Sequence, residues 1–219
     1  QILRALMPFG YFAAQVSESL TPPETPSQPW LARYQIETGP QIEIGALDYR
    51  ILGPGASDPA FPETLAIAVG QVFSQSAYER EKDRITRIAS QQGYLEARWE
   101  VHRVIIEQSP YQARIELRLE TGPRFYFGPV AFDQDLLSDD FLRNYLPFQT
   151  GDHYDPDQLL ALQGSLLATQ YFSDVGVRPQ LDAAGDDQAV PIRVTAQPNQ
   201  ANQYRVGLGL SSDYGPRVS

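Results

Sequence analysis

Few side chains in this chain could do chemistry, and they are scattered. The two histidines, His102 and His153, stand alone. His102 falls at a polar position of an alternating, strand-like stretch and His153 in a loop before a helix start. Neither has the H-E-x-x-H spacing that sets two imidazoles on one helix face around a metal. Asp152, Asp155 and Asp157 form the kind of carboxylate cluster a hard cation such as calcium takes. The glycine-turned loop and distant glutamate of an EF-hand are missing, however, and Asp155 is placed to cap a helix. Asp139-Asp140 and Asp186-Asp187 suit the first turn of a helix and a tight turn rather than a general acid/base pair. Gly207-x-Gly209 lacks the third glycine and the following helix of a dinucleotide fingerprint. With no cysteine, thiol catalysis, disulfides and cysteine zinc sites are excluded. No catalytic, metal-ligating or cofactor-binding residue is assigned.

The composition narrows the partners. Lys+Arg number 17 against 27 Asp+Glu in 219 residues, a formal charge of −10. Lys82 is the sole lysine. Nucleic-acid affinity rests on clustered Lys and Arg, so nucleic acid is not the partner. Apolar residues at 42% and charged residues at 20% are those of a globular chain. No stretch approaches the ~18 consecutive apolar residues of a spanning helix. The start does not read as a signal peptide, and Ile2–Phe9 reads as the end of an amphipathic helix, so the chain is expected to be a piece of a larger protein.

The elements are organised as a repeat. Glu37-Thr38-Gly39-Pro40 recurs as Glu120-Thr121-Gly122-Pro123, an offset of 83 that Gly45 and Gly128 share, with Tyr49 and Phe132 at equivalent aromatic positions. A fixed period points to successive units of one fold. In the middle unit, Gln41–Ile51 alternates as a half-buried strand, broken at Pro54–Pro59. A short apolar helix is predicted through Glu63–Val69, stopped at Gly70. Ser76-Ala77-Tyr78-Glu79 reads as a capping box. The helix it opens carries Tyr78, Lys82, Ile85, Ile88 and Ala89 and ends at Gly93 as C′ residue. Two strands follow. Tyr94–Glu107 places Leu95, Ala97, Trp99 and Val101 on one face; Tyr111–Glu120 alternates Ala113, Ile115, Leu117 and Leu119 against Gln112, Arg114, Glu116 and Arg118.

The third unit repeats the order. Arg124–Phe132 is the strand, and Ser138 caps a helix bearing Phe141, Leu142, Tyr145 and Leu146. Asp155-Pro156-Asp157-Gln158 supplies an N-cap, a proline at N1 and a capping-box glutamine for a longer helix through Leu159, Leu162 and Leu166 to about Tyr171. Asp174–Asp182 and Val190–Gln197 form a hairpin across Gly185-Asp186-Asp187. Before Glu37 stands half a unit: Ile2–Met7 as a helix end, Gly10–Leu20 and Tyr34–Thr38 as strands, with Pro22–Pro29 between. After the last unit, Tyr204–Leu210 puts Tyr204, Val206, Leu208 and Leu210 on one face and Gly207, Gly209 and Ser211 on the other. An outer-membrane barrel strand has this character, as does an ordinary edge strand.

A β-α-α-β-β module of this length, in tandem with Gly-Pro at the junction and a glycine in the first strand, resembles the POTRA domain of the Omp85 superfamily. Pro8-Phe9-Gly10-Tyr11 and Asp213-Tyr214-Gly215-Pro216-Arg217 are most similar to its TamA branch. The resemblance implies an α+β fold of three-stranded mixed sheets covered on one face by two helices. The boundaries are 1–39 (the C-terminal part of a first POTRA), 40–122, 123–199, and 200–219 as linker and first barrel strand. It further implies a non-enzymatic region on the periplasmic side of the Gram-negative outer membrane that helps insert or secrete barrel proteins and autotransporters. The implied partners are unfolded outer-membrane proteins and a TamB-like inner-membrane-anchored protein, the latter mainly through the first POTRA. A BamA-like insertase or two-partner secretion transporter is the neighbouring alternative; a periplasmic enzyme or cell-wall-binding module is the alternative from another class.

Such sheets bind partners by adding a strand to an open edge. The family topology puts Leu95–Glu107 on the outside of its sheet, and this stretch contains neither Pro nor Gly. The expected binding edge is Arg98, Glu100, His102, Val104 and Ile106, with Val104 and Ile106 opposite the core-facing residues. The alternative is that those two pack against a neighbouring module or a loop. The third unit's counterpart contains Gly176 and Pro179, which weaken pairing.

Overall fold

The computed structural model describes residues 1–23, 29–199, 208–211 and 215–218. The chain divides into two compact units, Gln1–Phe125 and Tyr126–Ser219.

In the first unit, α1 (Ile2–Leu6) and a 3-10 turn Met7–Phe9 lead into an antiparallel hairpin of β1 (Gln15–Thr21) and β2 (Leu31–Glu37). Leu20, Leu31, Tyr34 and Ile36 of this hairpin are all exposed. There follow β3 (Glu43–Leu52), α2 (Gln75–Gln91), β4 (Arg98–Gln108) and β5 (Tyr111–Glu120). The sheet order is β3-β5-β4, with β3 parallel and β4 antiparallel to the central β5. The period-2 pattern of β5 is fully realised: Ala113, Ile115, Leu117 and Leu119 are buried at 0–1% exposure and join Tyr78, Ile85 and Ala89 of α2 in one core. At roughly 1.5–3 kcal/mol for each fully buried large apolar side chain, this seam is the main stabilising term of the unit.

α2 ends in a Schellman motif. The N–H of Gly93 (φ 82°) donates to Ser90 O and that of Tyr94 to Ala89 O, at 3.1 and 2.9 Å, so a left-handed C′ glycine satisfies the last carbonyls. The Gly93 carbonyl then accepts from Phe125 N–H at 2.8 Å. The same bond joins Gly10 (φ 88°) to Ile42 N–H at 2.9 Å, 83 residues earlier.

Two helical expectations fail in this unit. Glu63–Val69 is not a helix but an irregular path in which Leu65 and Ile67, two apart, are buried. Side chains elsewhere satisfy its backbone: Ala66 N–H donates to Glu81 Oε2 (2.9 Å) and Ala68 N–H to Gln71 Oε1 (3.1 Å). The Ser76 capping box is also absent. α2 begins two residues earlier with Ser74 as N-cap, and the Ser74 and Ser76 hydroxyls pair with each other at 3.0 Å.

In the second unit, β6 (Tyr126–Asp133), α3 (Asp139–Arg143), α4 (Pro156–Ala168), β7 (Phe172–Pro179) and β8 (Ala189–Pro198) form a sheet in the order β6-β8-β7. β6 is parallel and β7 antiparallel to β8. Here both N-caps hold, but the capping-box glutamine does not: Gln158 Oε1 is buried without a hydrogen-bond partner among the described residues. Ser138 accepts from Phe141 N–H at 3.4 Å, and Asp155 from Asp157 N–H at 2.9 Å with Pro156 at N1. Leu159, Leu162 and Leu166 of α4 are buried with Phe127, Val190, Ile192 and Val194. Phe127 stacks on Phe148 at 3.7 Å between centroids. Thus each unit carries a mixed three-stranded sheet with its apolar face under helix, as expected, though the first has one long helix where two were anticipated.

Leu208–Ser211 (β9) and Gly215–Val218 (β10) pair antiparallel. Of the segment read as a barrel strand, Tyr204–Gly207 lies outside the described residues, as do Asp213 and Tyr214 of the tail motif.

Candidate partner-binding edge

A three-stranded sheet has two edges, and in both units the start of the first strand's outer edge is clipped by the unit's own chain. Ile44 N–H donates to Gln71 O and Gly70 N–H to Ile44 O, both at 2.8 Å, beside a bridge between Glu43 and Val72. In the second unit Phe127 N–H donates to Asp152 O (2.9 Å) and Gly151 N–H to Phe127 O (2.8 Å), beside a bridge between Tyr126 and His153. The clip is the same at equivalent residues. It accounts for His153, whose ring packs on Tyr126 at 5.7 Å. Two of the three clustered carboxylates are turned to local backbone: Asp152 Oδ2 accepts from Gln149 N–H and Asp155 from Asp157 N–H. Among the described residues no three His, Asp or Glu side chains converge on a cation position.

The edges without such a clip among the described residues are β4 and β7. β7 is eight residues long, with a bulge between Phe172 and Asp174, Gly176 inside it and Pro179 at its end. Each is a device that blunts an edge. β4 runs eleven residues, with one bulge between Trp99 and Val101. From Val101 to Gln108 its register is continuous over eight residues, about 27 Å at ~3.4 Å per residue.

That bulge corrects the expected face. Trp99 opposes Leu119, but Val101 opposes Arg118, so the alternation slips by one residue at Glu100. Beyond it Val104 opposes Ile115 and Ile106 opposes Ala113, and both pack on their own unit's core. They do not lie opposite the core. His102 shares their side, opposite Leu117, yet is exposed, while Arg98 and Glu100 precede the slip and are also exposed. The expected residues are thus brought to one edge strand but split between its two faces. The open-face positions of the continuous stretch are Val101, Arg103, Ile105 and Glu107, opposite Arg118, Glu116, Arg114 and Gln112.

This open face is a lattice of ion pairs that the sequence reading missed. Its signal was present in the long polar residues at even positions of β5. Arg103 pairs with Glu116 (2.7 Å), Arg114 with Glu107 (2.7 Å), and Asp48 takes both Arg118 and Arg50 at 2.8 Å. The Arg118 hydrogen bond, aided by that of Arg50, holds the Asp48 carboxyl below the usual carboxylate range. Exposed pairs of this kind contribute ~0–1 kcal/mol each. Their main effect is to pair most of the charges of this face with one another, Arg118 Nε being left without a partner among the described residues.

At the other end of the unit, Asp58 pairs with Arg124, whose guanidinium lies 4.6 Å from the Tyr94 ring centroid, and Tyr94 Oη donates to Asp58 at 3.1 Å. Thr121, fully buried, bonds Leu52 O and the Gly55 N–H. These groups anchor the chain as it leaves β5. Glu81, 9% exposed at its side chain, is held by Arg84 at 2.8 Å and by Ala66 N–H. Burial works to raise its pKa, but the bonds from Arg84 and Ala66 outweigh it and the carboxyl sits below its ordinary value. Burial pushes the Tyr49 and Tyr78 hydroxyls up to about 12, which leaves them protonated at neutral pH.

The architecture is that of tandem POTRA domains. Residues 125–198 match the POTRA family, described as surface antigen variable number repeat. The fold is similar to a BamA fragment from Haemophilus influenzae comprising POTRA3-5, at 17% identity over 90% of this chain and 76% of that chain, with a TM-score of 0.50. It is also similar to BamA from Haemophilus ducreyi lacking POTRA domains 1-3. There the identity is 17%, the cover 80% of this chain and 32% of that chain, and the TM-score 0.61. The chain spans about a third of that second protein.

Proposed function

We propose that this chain is the POTRA-bearing periplasmic arm of an Omp85-type outer-membrane protein, of the TamA-like branch. In this reading it helps insert or secrete barrel proteins and autotransporters as a non-enzymatic docking arm. Residues 1–39 are the C-terminal part of a first POTRA, 40–122 and 123–199 are complete ones, and 200–219 lead into a membrane barrel. The arm binds extended segments of unfolded outer-membrane proteins by strand addition, and a TamB-like inner-membrane-anchored partner docks mainly on the first POTRA.

The observation that carries the reading is the pair of edges in the middle unit: the start of β3 is clipped by its own chain, while Val101–Gln108 of β4 is continuous, without proline or glycine, and unpaired on its outer side among the described residues. A strand added there gains main-chain hydrogen bonds of ~0.5–1.5 kcal/mol each with little sequence demand, which suits a factor that meets many precursors. The family match over 125–198 and the BamA-like fold support the setting. The same likeness favours a BamA-like insertase as the second reading.

The test is amide hydrogen exchange of the chain with and without a peptide copied from a barrel strand. The expected result is slowed exchange confined to Val101–Gln108. Protection along β7 instead, or nowhere, refutes the assignment. Co-purification of the full-length protein with a large inner-membrane-anchored partner separates the TamA-like reading from the BamA-like one.

A further inference from the structure

The two sheets can be compared residue by residue, because their backbone clips align them. Ile44 and Phe127 occupy the same clip, and they pair with Ala113 and Val190 respectively. Three residues on, Glu116 of β5 corresponds to Arg193 of β8. Their antiparallel partners are Arg103 and Arg178. The same position of the open face therefore holds Arg opposite Glu in one unit and Arg opposite Arg in the other.

In the middle unit the pair is complementary: Arg103 donates through Nε at 2.9 Å and Nη2 at 2.7 Å to Glu116 Oε2. In the second unit, Arg178 and Arg193 are directly opposed, both exposed, and neither makes an ion pair or side-chain hydrogen bond among the described residues. Like charges facing each other across an antiparallel pair destabilise it. The surroundings do not explain the pair by scarcity of counter-ions, since 12 aspartates face five arginines in the sequence of this unit. Both guanidiniums line an open groove of about 800 Å3, with Gln180, Leu181 and Asp182 on its rim.

We infer that Arg178 and Arg193 form an oxyanion site in which a phosphate group takes the place of the Glu116 carboxylate. A carboxylate is satisfied by one guanidinium fork, whereas two opposed forks match the several oxygens of a phosphate. The ligand neutralises a cross-strand repulsion that no ion pair relieves among the described residues, and the carboxylate of Asp182 in the same groove works against it. The phosphate is either free in solution or the headgroup of a membrane lipid.

The test uses the whole chain. Inorganic phosphate is titrated while the side-chain Nε–Hε resonances of Arg178 and Arg193 are followed, and chloride at matched ionic strength serves as control. Phosphate is expected to shift both resonances, and Asp182→Asn to tighten binding. Arg193→Glu recreates the middle unit's pair. It is expected to raise the melting temperature without phosphate and to weaken phosphate binding by roughly tenfold or more, the loss of one charge-assisted fork. Because that variant gains stability, its loss of binding cannot be ascribed to misfolding. Co-sedimentation with phosphatidylcholine vesicles, with and without phosphatidylglycerol, assigns the source. Vesicle binding that Arg193→Glu abolishes means a lipid headgroup; solution binding alone means free phosphate. Absence of any phosphate-specific shift at the two arginines, or an Arg193→Glu variant that responds as the parent does, overturns the site.

Discussion

Gly45 and Gly128 occupy the same place in the repeat, at the bulge of each unit's first strand, yet replacing them with alanine should have opposite consequences. A Cβ on Gly128 would lie 2.8 Å from the carbonyl carbon and oxygen of Val190 and 3.0 Å from Pro191 N. These are backbone atoms of the central strand, where Val190 is fully buried. Relief requires β8 to move away from β6, which disturbs the Phe127–Phe148 stack. Such overpacking costs about 1–3 kcal/mol, and a middle value of about 2 kcal/mol lowers the melting temperature of a unit this size by roughly 8–16 °C. At Gly45 the contact is nominally worse, 2.1 Å to Oε1, 2.2 Å to Cδ and 2.8 Å to Cγ of Gln112, but all three atoms belong to one flexible side chain. Gln112 swings out and gives up its 3.0 Å bond to Glu107, a loss of about 1 kcal/mol. The lower unfolded-state entropy of alanine returns ~0.4–1 kcal/mol. Gly45→Ala should therefore be near neutral. Thermal melts read by Trp99 emission follow the middle unit, and amide exchange in β8 follows the second unit, which has no tryptophan. If Gly45→Ala costs as much as Gly128→Ala, the ranking by which neighbour can yield is wrong.

Further expectations concern caps and pH. Asp155→Ala should destabilise the second unit by about 1 kcal/mol in denaturant titration, whereas Ser74→Ala, whose hydroxyl makes no cap bond, should cost a few tenths. Glu81 and Asp48 both have folded-state pKa values below their ordinary ones. Their stabilisation is present above the unfolded carboxylate pKa and is lost as pH falls through the depressed folded value. The middle unit should then weaken on acidification below about pH 4, and Glu81→Gln should flatten that dependence in melts run from neutral to acid. Val104→Pro should abolish peptide protection along β4. Because Val104 also packs on the core, Ile105→Lys on the open face, with the edge backbone intact, should retain most of that protection and so separate pairing from packing.

What was legible in the sequence was whatever local chemistry decides. Ser138 and Asp155 cap helices because a hydroxyl or carboxylate beside an apolar run has few better uses. Gly93 ends α2 because it alone adopts φ 82° without strain. The alternation of β5 reads directly because this central strand has one face in the core and the other in the ion-pair lattice. The failures are where a distant group decides. Glu63–Val69 has helical composition, but Glu81, at the position filled by buried Leu162 in the other unit, reaches back to take Ala66 N–H. A tether between residues 15 apart in sequence leaves no local trace. The β4 bulge falls at Glu100, with no glycine or proline to announce it, and so the face of Val104 and Ile106 was read one residue out of phase. The edge strand itself was read correctly; the side chains it turns to solvent were not.

The two units share their backbone devices and differ in what their side chains leave unmet. The clip on the start of the first strand and the bulge glycines recur at equivalent residues, as fold-determining features must. On the open faces and edges the units diverge. The middle unit neutralises its face and keeps a long unblunted edge, so its unmet capacity is main-chain N–H and C=O, which an extended peptide satisfies. The second unit blunts its edge with a bulge, Gly176 and Pro179 and leaves two opposed guanidiniums without an ion pair among the described residues, a capacity that an oxyanion satisfies. A repeat whose copies did the same job would have no reason to exchange Glu116 for Arg193 at a position where glutamate already pairs well. The exchange follows if the copies divide the work, strands to one and anions to the other, on a common backbone.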